Sequence, residues 1–448
     1  MEQPVHKLTS GPLGRQIFLF SLPLIFSNVL QVLFNMSDVA VVGRFAGASA
    51  LGSVGSCSIL VSLFTGFLIG MGSGVNVLTA RYYGAENREA LRRTVHTSIL
   101  VCAAMGFVIL LLGLLFSDPL LALLNTRDDL MDGAARYLRV YFLGMPAMAL
   151  YNYGNGVFSA VGDTKRPLLY LLIAGVLNVS LNLLFVIVCH LDVVGVALAS
   201  VISQYVSAAL ILAALLNTRE EYGLTPSEIR FSKKYAVSVM QLGIPAGVQS
   251  AIFSIANLFV QSGVNSFPSA MVEGNAAANN GDVLVYNILN SFYIACSSFI
   301  SQNFGAGKKD RVLKSYFISM AYALAASLIL GGLYLLFGRQ FLSLFTTEPE
   351  VIECGMQRVR VMAGVFWISV LMDGTTAASR GLGRTLLPVV ITILGSCVFR
   401  IIWIYTVFAY FGTVGSLFLV YAFSWTVTAA AQIPYFIRSY KSLMKILR

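Results

Sequence analysis

The sequence predicts an all-α polytopic membrane protein: twelve transmembrane helices in two pseudo-twofold-related six-helix bundles. Three observations carry this prediction. Of 448 residues, 57% are hydrophobic and 11% charged, where soluble domains carry about a quarter charged residues. The apolar residues run in stretches of about 20 or more, long enough to cross a bilayer as helices, and not in the alternating segments of a barrel. A set of landmarks also recurs at a nearly constant offset of 220–222 residues.

Taken in order, the spans fall at 15–41, 50–80, 94–117, 135–160, 167–190 and 193–216, then at 237–265, 275–303, 314–338, 357–381, 386–410 and 413–437. The first is too long for the apolar core of a signal peptide and contains Asp38, so it reads as a retained helix. Between the sixth and seventh spans, 7 of the 19 residues of 217–235 are charged. This stretch reads as a cytoplasmic linker and hinge, separating an N-terminal lobe (1–216) from a C-terminal lobe (236–448). With the N-terminus inside, 22 of the 30 Lys and Arg residues lie on the inner side. That asymmetry predicts a multi-pass protein of the cell membrane with both termini cytoplasmic. The net charge of +10 is thereby a topology signal and not a sign of nucleic acid.

The halves repeat. Pro23 and Asn35 match Pro245 and Asn257 at offset 222, and Gly84-Ala85 matches Gly305-Ala306 at 221. Arg139, Gly162, Thr164 and Pro167 match Arg360, Gly383, Thr385 and Pro388 at 221, and Val194-Gly195 matches Val414-Gly415 at 220. Six spans per half is an even number, so both halves share one orientation and are related by an axis along the membrane normal, as in parallel-repeat transporters.

Residues 21–43 hold the first candidate site. Asn28, Gln31, Asn35 and Asp38 are spaced 3, 4 and 3 apart, which places them on one helical stripe. A carboxylate there is too costly to face lipid and points to an ion or proton site. On the fifth span Asn178 and Asn182 share a face at i, i+4, suited to orient a carboxylate or give oxygens to Na⁺, the one metal ion this reading admits. In the second half Asp373 is the matching acid. It falls opposite Asn152 by the repeat, and Arg400, mid-span, is either its neutralising partner or a substrate contact. Asn257 and Gln261 lie on a neutral stripe of the seventh span. Asp282 follows Asn279-Asn280-Gly281 like a loop acid, yet the repeat sets it on Val61, inside a helix. We assign Asp38, Asn178, Asn182 and Asn35 to cation coupling, and Asp373, Asn257, Gln261, Asn152, Asp282 and Arg400 to substrate contact.

Other signals carry less. Asp128-Asp129-Leu130-Met131-Asp132 spells the DDxxD of prenyl-transferring enzymes, but it occurs once and its repeat partner reads Glu350-Val351-Ile352-Glu353. Thr126-x-x-Asp129 and Thr347-x-x-Glu350 read instead as capping boxes. Gly70-x-Gly72-x-Gly74 reads as close helix packing, since no phosphate-loop sequence exists. The six Cys residues have no CxxC spacing and read as core, and the three His residues do not cluster. No enzyme chemistry, resident metal or cofactor is expected.

Pro23…Asn35-x-x-Asp38…Val42-Gly43, Gly74…Tyr83-Gly84-Ala85, Gly162-Asp163-Thr164…Pro167, Gln302-Asn303-x-Gly305-Ala306-Gly307 and Gly383-x-Thr385…Pro388 together resemble the multidrug and toxic compound extrusion (MATE) family, from Leu8 to about Tyr440. The resemblance implies two six-helix lobes, a V-shaped central cleft, and cation-coupled export of organic, often cationic compounds. Asp38 matches the family's helix 1 aspartate at the N-lobe cation site, Asn178 the helix 5 asparagine beside it, and Asp373 the helix 10 aspartate of some branches. Two departures stand out. Asn182 replaces a second carboxylate on helix 5, and Phe253 or its neighbours replace a helix 7 glutamate. The pattern is closer to the DinF-like branch, with coupling in the N-lobe. The expected activity is H⁺- or Na⁺-coupled antiport of cationic or amphipathic small molecules by alternating access, performed by a monomer in the lipid bilayer. The alternative within the superfamily is a flippase for lipid-linked saccharides.

Overall fold

Helix is the only regular structure among the described residues, 8–446, of the computed structural model. His6, Lys7 and Arg448, which entered the readings above, lie outside them. The first half comprises α1 (Leu13–Val41), α2 (Ala48–Gly84), α3 (Arg88–Leu123), α4 (Asp128–Phe142), α5 (Met145–Val161), α6 (Lys165–Leu183) and α7 (Asp192–Asn217). The second half comprises α8 (Lys233–Val264), α9 (Ser269–Gly305), α10 (Lys309–Leu342), α11 (Pro349–Gly381), the run α12 (Leu386–Thr392), α13 (Phe399–Trp403) and α14 (Ala409–Phe411), and α15 (Val414–Ile446).

Among the described residues, eleven helices are long and apolar enough to cross a membrane. The expected crossing at 135–160 is instead two helices, α4 and α5, separated at Leu143–Gly144. Pro146, in the first turn of α5, lacks the N–H that would bond back to the Phe142 carbonyl. Gly144 lets Gln204 approach closely: a Cβ there would lie 1.9 Å from Gln204 Oε1, which would have to turn away. Most helices outrun their predicted spans, since polar end residues extend the hydrogen-bond ladder into water after the apolar run stops. The capping boxes are absent. Helix α4 opens after Arg127 and α11 after Glu348, neither with a side-chain cap. Asp128 and Asp129 sit in the first turn of α4, where they complement the helix dipole, and Pro349 occupies the first turn of α11.

By internal contacts the chain forms two units, Phe26–Ala251 and Leu8–Ile25 with the chain from Ile252 onward. The division therefore cuts α1 and α8, close after the in-helix prolines Pro23 and Pro245, while 217–235 packs within the first unit. Within that unit α2 touches α8 through glycines. A Cβ on Gly70 would lie 2.3 Å from Gly247 N, and one on Gly74 2.6 Å from Gly243 N. Gly72, facing α5, would meet Asn152 O at 2.8 Å. The glycine run is thus the helix-packing device expected. In the second unit α9 and α11 are the most enclosed helices, with 61% and 56% of their apolar windows buried.

The segment leading into each half is tied down by polar contacts of its own. In the first unit, Arg88 pairs with Glu221 at 2.5 Å and Arg92 with Glu228 at 2.6 Å. His96 Nε2 there accepts the Thr225 N–H at 2.9 Å, and Tyr222 is buried. In the second unit, Arg311 donates to the Gly11 and Leu8 carbonyls at 2.9 and 3.1 Å, and Lys308 to Thr9 O at 2.8 Å. Residues 8–11 map by the repeat onto 229–232, which directly follow Glu228, so the two halves fasten neighbouring stretches of the repeat by different contacts.

Gly70→Ala should lower stability by roughly 1–3 kcal/mol, because the new methyl meets backbone and not a side chain that can turn away. A melting curve of the purified variant indistinguishable from the parent's would show that α2 and α8 do not touch there.

Candidate functional site

Asp38 lies near the end of α1, half-buried. The structure brings it to the fifth span, which sequence reasoning left open. Asn182 Nδ2 donates to Asp38 Oδ1 in a short bond, and Ser200 Oγ, on α7, donates to Oδ2 at 3.5 Å. Asn182 Nδ2 also reaches Asn178 Oδ1 at 3.3 Å, and Asn178 Nδ2 donates to Ser200 Oγ at 3.4 Å. The four side chains form a closed ring. Asn178, Asn182 and Ser200 are buried, and among the described residues no cation pairs with the carboxylate.

The ring has one unfilled valence: Asn182 Oδ1 is buried with no donor. Turning the Asn182 amide over would aim that oxygen at the carboxylate, an arrangement that repels unless a proton or cation lies between. The available ligands are all hard oxygens: the Asp38 carboxylate, two amide carbonyls and a hydroxyl. That set suits H⁺ or Na⁺ and not a soft metal. Tyr137 and Tyr141, stacked with ring centroids 5.7 Å apart, lie within the electrostatic reach of Asp38. Asn35 does not join the ring; it is exposed.

Both helices of the site change geometry just past it. Helix α1 continues as a π-helical turn at Val42–Ala46, and α6 as one at Leu184–Val188. These turns touch each other. Such turns hold one residue more than an α turn and recur at functional sites.

The second unit holds the remaining candidates in two separate networks. Asp282 lies inside α9, as the repeat required, and pairs with Arg358 of α11 at 2.7 Å, both side chains under 10% exposed. Arg358 also donates to Asn275 Oδ1 at 2.7 Å and Asn279 Oδ1 at 3.1 Å. Gln261 Oε1 accepts from Asn275 at 3.2 Å, which ties α8 to this cluster. Arg400 donates from Nη1 to Asn257 Oδ1 at 2.8 Å and from Nε to Ser424 Oγ at 3.5 Å. It makes no ion pair with Asp373, which is half-buried on α11. In the first unit, Asn152 bonds to its own helix at Met148 O, 2.9 Å away.

Ser200, Tyr137 and Tyr141 escaped the sequence reading because polar residues on other helices carry no spacing signal towards Asp38. Arg358 had a signal. An arginine within the apolar run 351–372 needs an acid at its own depth, and Asp282 was available.

A profile of the MatE family matches residues 23–184 and again 245–406. The chain is 30% identical over 401 residues to the probable multidrug resistance protein YoeA of Bacillus subtilis, covering 87% of this chain and 85% of that one. It is also 30% identical over 213 residues to DNA damage-inducible protein F of Escherichia coli, covering 48% and 45%. A solved outward-facing multidrug resistance MATE family transporter of the MOP superfamily shares the fold at a TM-score of 0.91 and 21% identity, covering 99% of this chain and 100% of that one. Relatives of this kind are polytopic membrane transporters and not enzymes. The two matched stretches start 222 residues apart, the offset of Pro23 and Pro245, so the duplication read from the sequence and the family assignment rest on the same residues, and the chain belongs to the MatE family of multidrug efflux transporters.

Proposed function

We propose that this chain is a secondary antiporter that exports organic, cationic or amphipathic compounds by alternating access, driven by H⁺ or Na⁺ entering at Asp38. It is read as a monomer of the cell membrane with both termini cytoplasmic. The observation that supports the coupling most directly is the ring of Asp38, Asn182, Asn178 and Ser200, an intramembrane acid held by neutral donors alone. An arginine in that position would satisfy the carboxylate permanently. Amides and a hydroxyl leave it able to take a proton or cation and give it up again.

The proposed cycle follows from the ring. In the ion-free state Asn182 donates to the carboxylate. Arrival of H⁺ or Na⁺ removes the negative charge and favours the turned amide, with Asn182 Oδ1 facing the ion. That change alters the link between α1 and α6 directly before the paired π turns, where the backbone ladder is weakest and a one-residue reset to α geometry is cheapest. One charge crossing 100 mV releases about 2.3 kcal/mol, which supports roughly 50-fold accumulation at about 1.4 kcal/mol per decade. For one-to-one exchange of monovalent cations the potential cancels, and only the ion gradient drives export. The lipid-linked saccharide alternative is disfavoured, because a diphosphate calls for a cluster of cations and Arg358 is already committed to Asp282.

In proteoliposomes, Asp38→Asn should reduce gradient-driven uptake of a cationic dye to background with the protein still monodisperse, since the amide replaces the acid with little change in size. Undiminished uptake would remove Asp38 from coupling. A pH step and a Na⁺ step, imposed separately, should differ sharply, with one driving transport and the other not; transport indifferent to both would defeat the antiport reading. Asn182→Ala, which deletes the short bond, should cost about tenfold in coupled uptake, and Ser200→Ala, which deletes the long one, about threefold or less. The reverse order would mean that the ring does not hold the ion.

A further inference from the structure

The repeat offers a comparison inside the chain. In the first unit the first helix of the half (α1) is bonded mid-span to the fifth crossing (α6) and, through Ser200, to the sixth (α7). In the second unit the corresponding helices are joined in the same way. Asn257 of α8, the repeat mate of Asn35, bonds Arg400 of α13, and Arg400 bonds Ser424 of α15. The π turn at Ile404–Phe408 matches that at Leu184–Val188 at offset 220. The same three helices are linked in both halves, through residues at different repeat positions, and the charge is reversed: an acid ringed by amides and a hydroxyl in one, a guanidinium held by an amide and a hydroxyl in the other.

Arg400 is 2% exposed. Among the described residues no carboxylate reaches ion-pair distance of it, and Asp373 acts on it only from farther off. The second buried arginine, Arg358, differs in having Asp282. The carbon of the Arg400 guanidinium lies 4.6 Å from the Tyr421 ring centroid and 5.4 Å from that of Phe253. Aromatic neighbours satisfy the cation without taking its N–H donors, which leaves the planar edge to meet a ligand. Two bonds, from Nε and Nη1, occupy part of that edge, and among the described residues no hydrogen bond runs from Nη2. Asn257, which caps Nη1, is itself exposed, so the edge is reached by displacing one neutral amide. A cation at this depth costs several kcal/mol unless paired, and a guanidinium edge matches a two-oxygen anion.

We infer that the second unit carries an anion-binding site centred on Arg400, which takes the carboxylate or phosphate group of an aromatic organic compound. Its place in transport rests on the export reading above and extends the exported compounds to zwitterionic and anionic amphiphiles. The site itself does not depend on that reading.

The test is calorimetric titration of the purified full-length chain in phosphate-free maltoside with benzoate, phenyl phosphate and sodium chloride, and in a separate arm with phosphatidylglycerol. Saturable binding of benzoate or phenyl phosphate is expected, weakened about tenfold or more in Arg400→Gln. Parental binding in a folded Arg400→Gln variant overturns the site, as does no binding by the parent. Binding of chloride alone or of the lipid alone overturns the organic assignment. Should Arg400→Gln fail to fold, Arg400→Lys decides. It keeps the charge and loses the fork, so binding should fall about fivefold or more, and unchanged binding overturns the edge-on geometry. Because the titration uses no gradient, its failure leaves coupling at Asp38 standing, and failure of coupled transport leaves the anion site standing.

Discussion

A carboxylate inside a membrane helix, held by groups that cannot neutralise it, is the constraint on which the first unit depends. Asp38 and Asp282 show the two available solutions. Asp282 meets a guanidinium at 2.7 Å through Oδ2, and the same Arg358 donates to two asparagines, while Asp282 Oδ1 is buried with no donor. An acid placed in that way has its charge set against an opposite charge fixed beside it. Asp38 receives only an amide and a distant hydroxyl, and one amide oxygen beside it is left without a donor. Its surroundings stabilise the charge enough to let it exist and not enough to make it permanent. That difference separates an acid that holds helices together from one that can respond to an ion.

Under the coupling proposed above, the same unit must let such a response move something. Its helices are packed tightly where α2 meets α5 and α8, with glycine against backbone, and loosely wound where the site's own helices end, at Val42–Ala46 and Leu184–Val188. Packing that close transmits displacement, while the π turns absorb it. Helix α1 also belongs to both units, with its start fastened beside Arg311 and Lys308 and its end at Asp38. Pro23 removes one backbone bond two residues before the helix passes from one unit to the other. Whatever happens at Asp38 therefore acts on a helix anchored elsewhere and softened part-way along.

Much of this was legible in the sequence, and the reasons differ by feature. Helix class and eleven of the twelve expected crossings follow from apolar runs whose length is set by the bilayer. The duplication follows from glycines and prolines at constant offset, residues that mark turns and kinks and so stay in place when surfaces change. Asp38, Asn178 and Asn182 were legible because a polar stripe in an apolar helix is a strong local contrast. The break between α4 and α5 was not, because Leu143 and Gly144 look apolar and only the Gln204 contact and Pro146 together end the helix. The capping boxes failed because Arg127 pairs with Asp129 at 3.0 Å and Pro349 opens α11 unaided. Ser200 and the Asp282–Arg358 pair join distant segments, and single-chain patterns are silent about which helix lies beside which.

Duplication also explains how one fold can link the same three helices of each half around opposite charges. Both copies join their first, fifth and sixth crossings and carry the same π turn, while the linking residues stand at different repeat positions: Asp38 maps onto Val260 and Ser424 onto Gln204. Once joined, neither copy is required to match the other, and the electrostatic cost of a charge in each pocket is borne separately. Adding arginine to the pocket that already held Asp38 would have cancelled both charges in a closed pair, as at Asp282 and Arg358. Placing it in the other copy leaves each charge available.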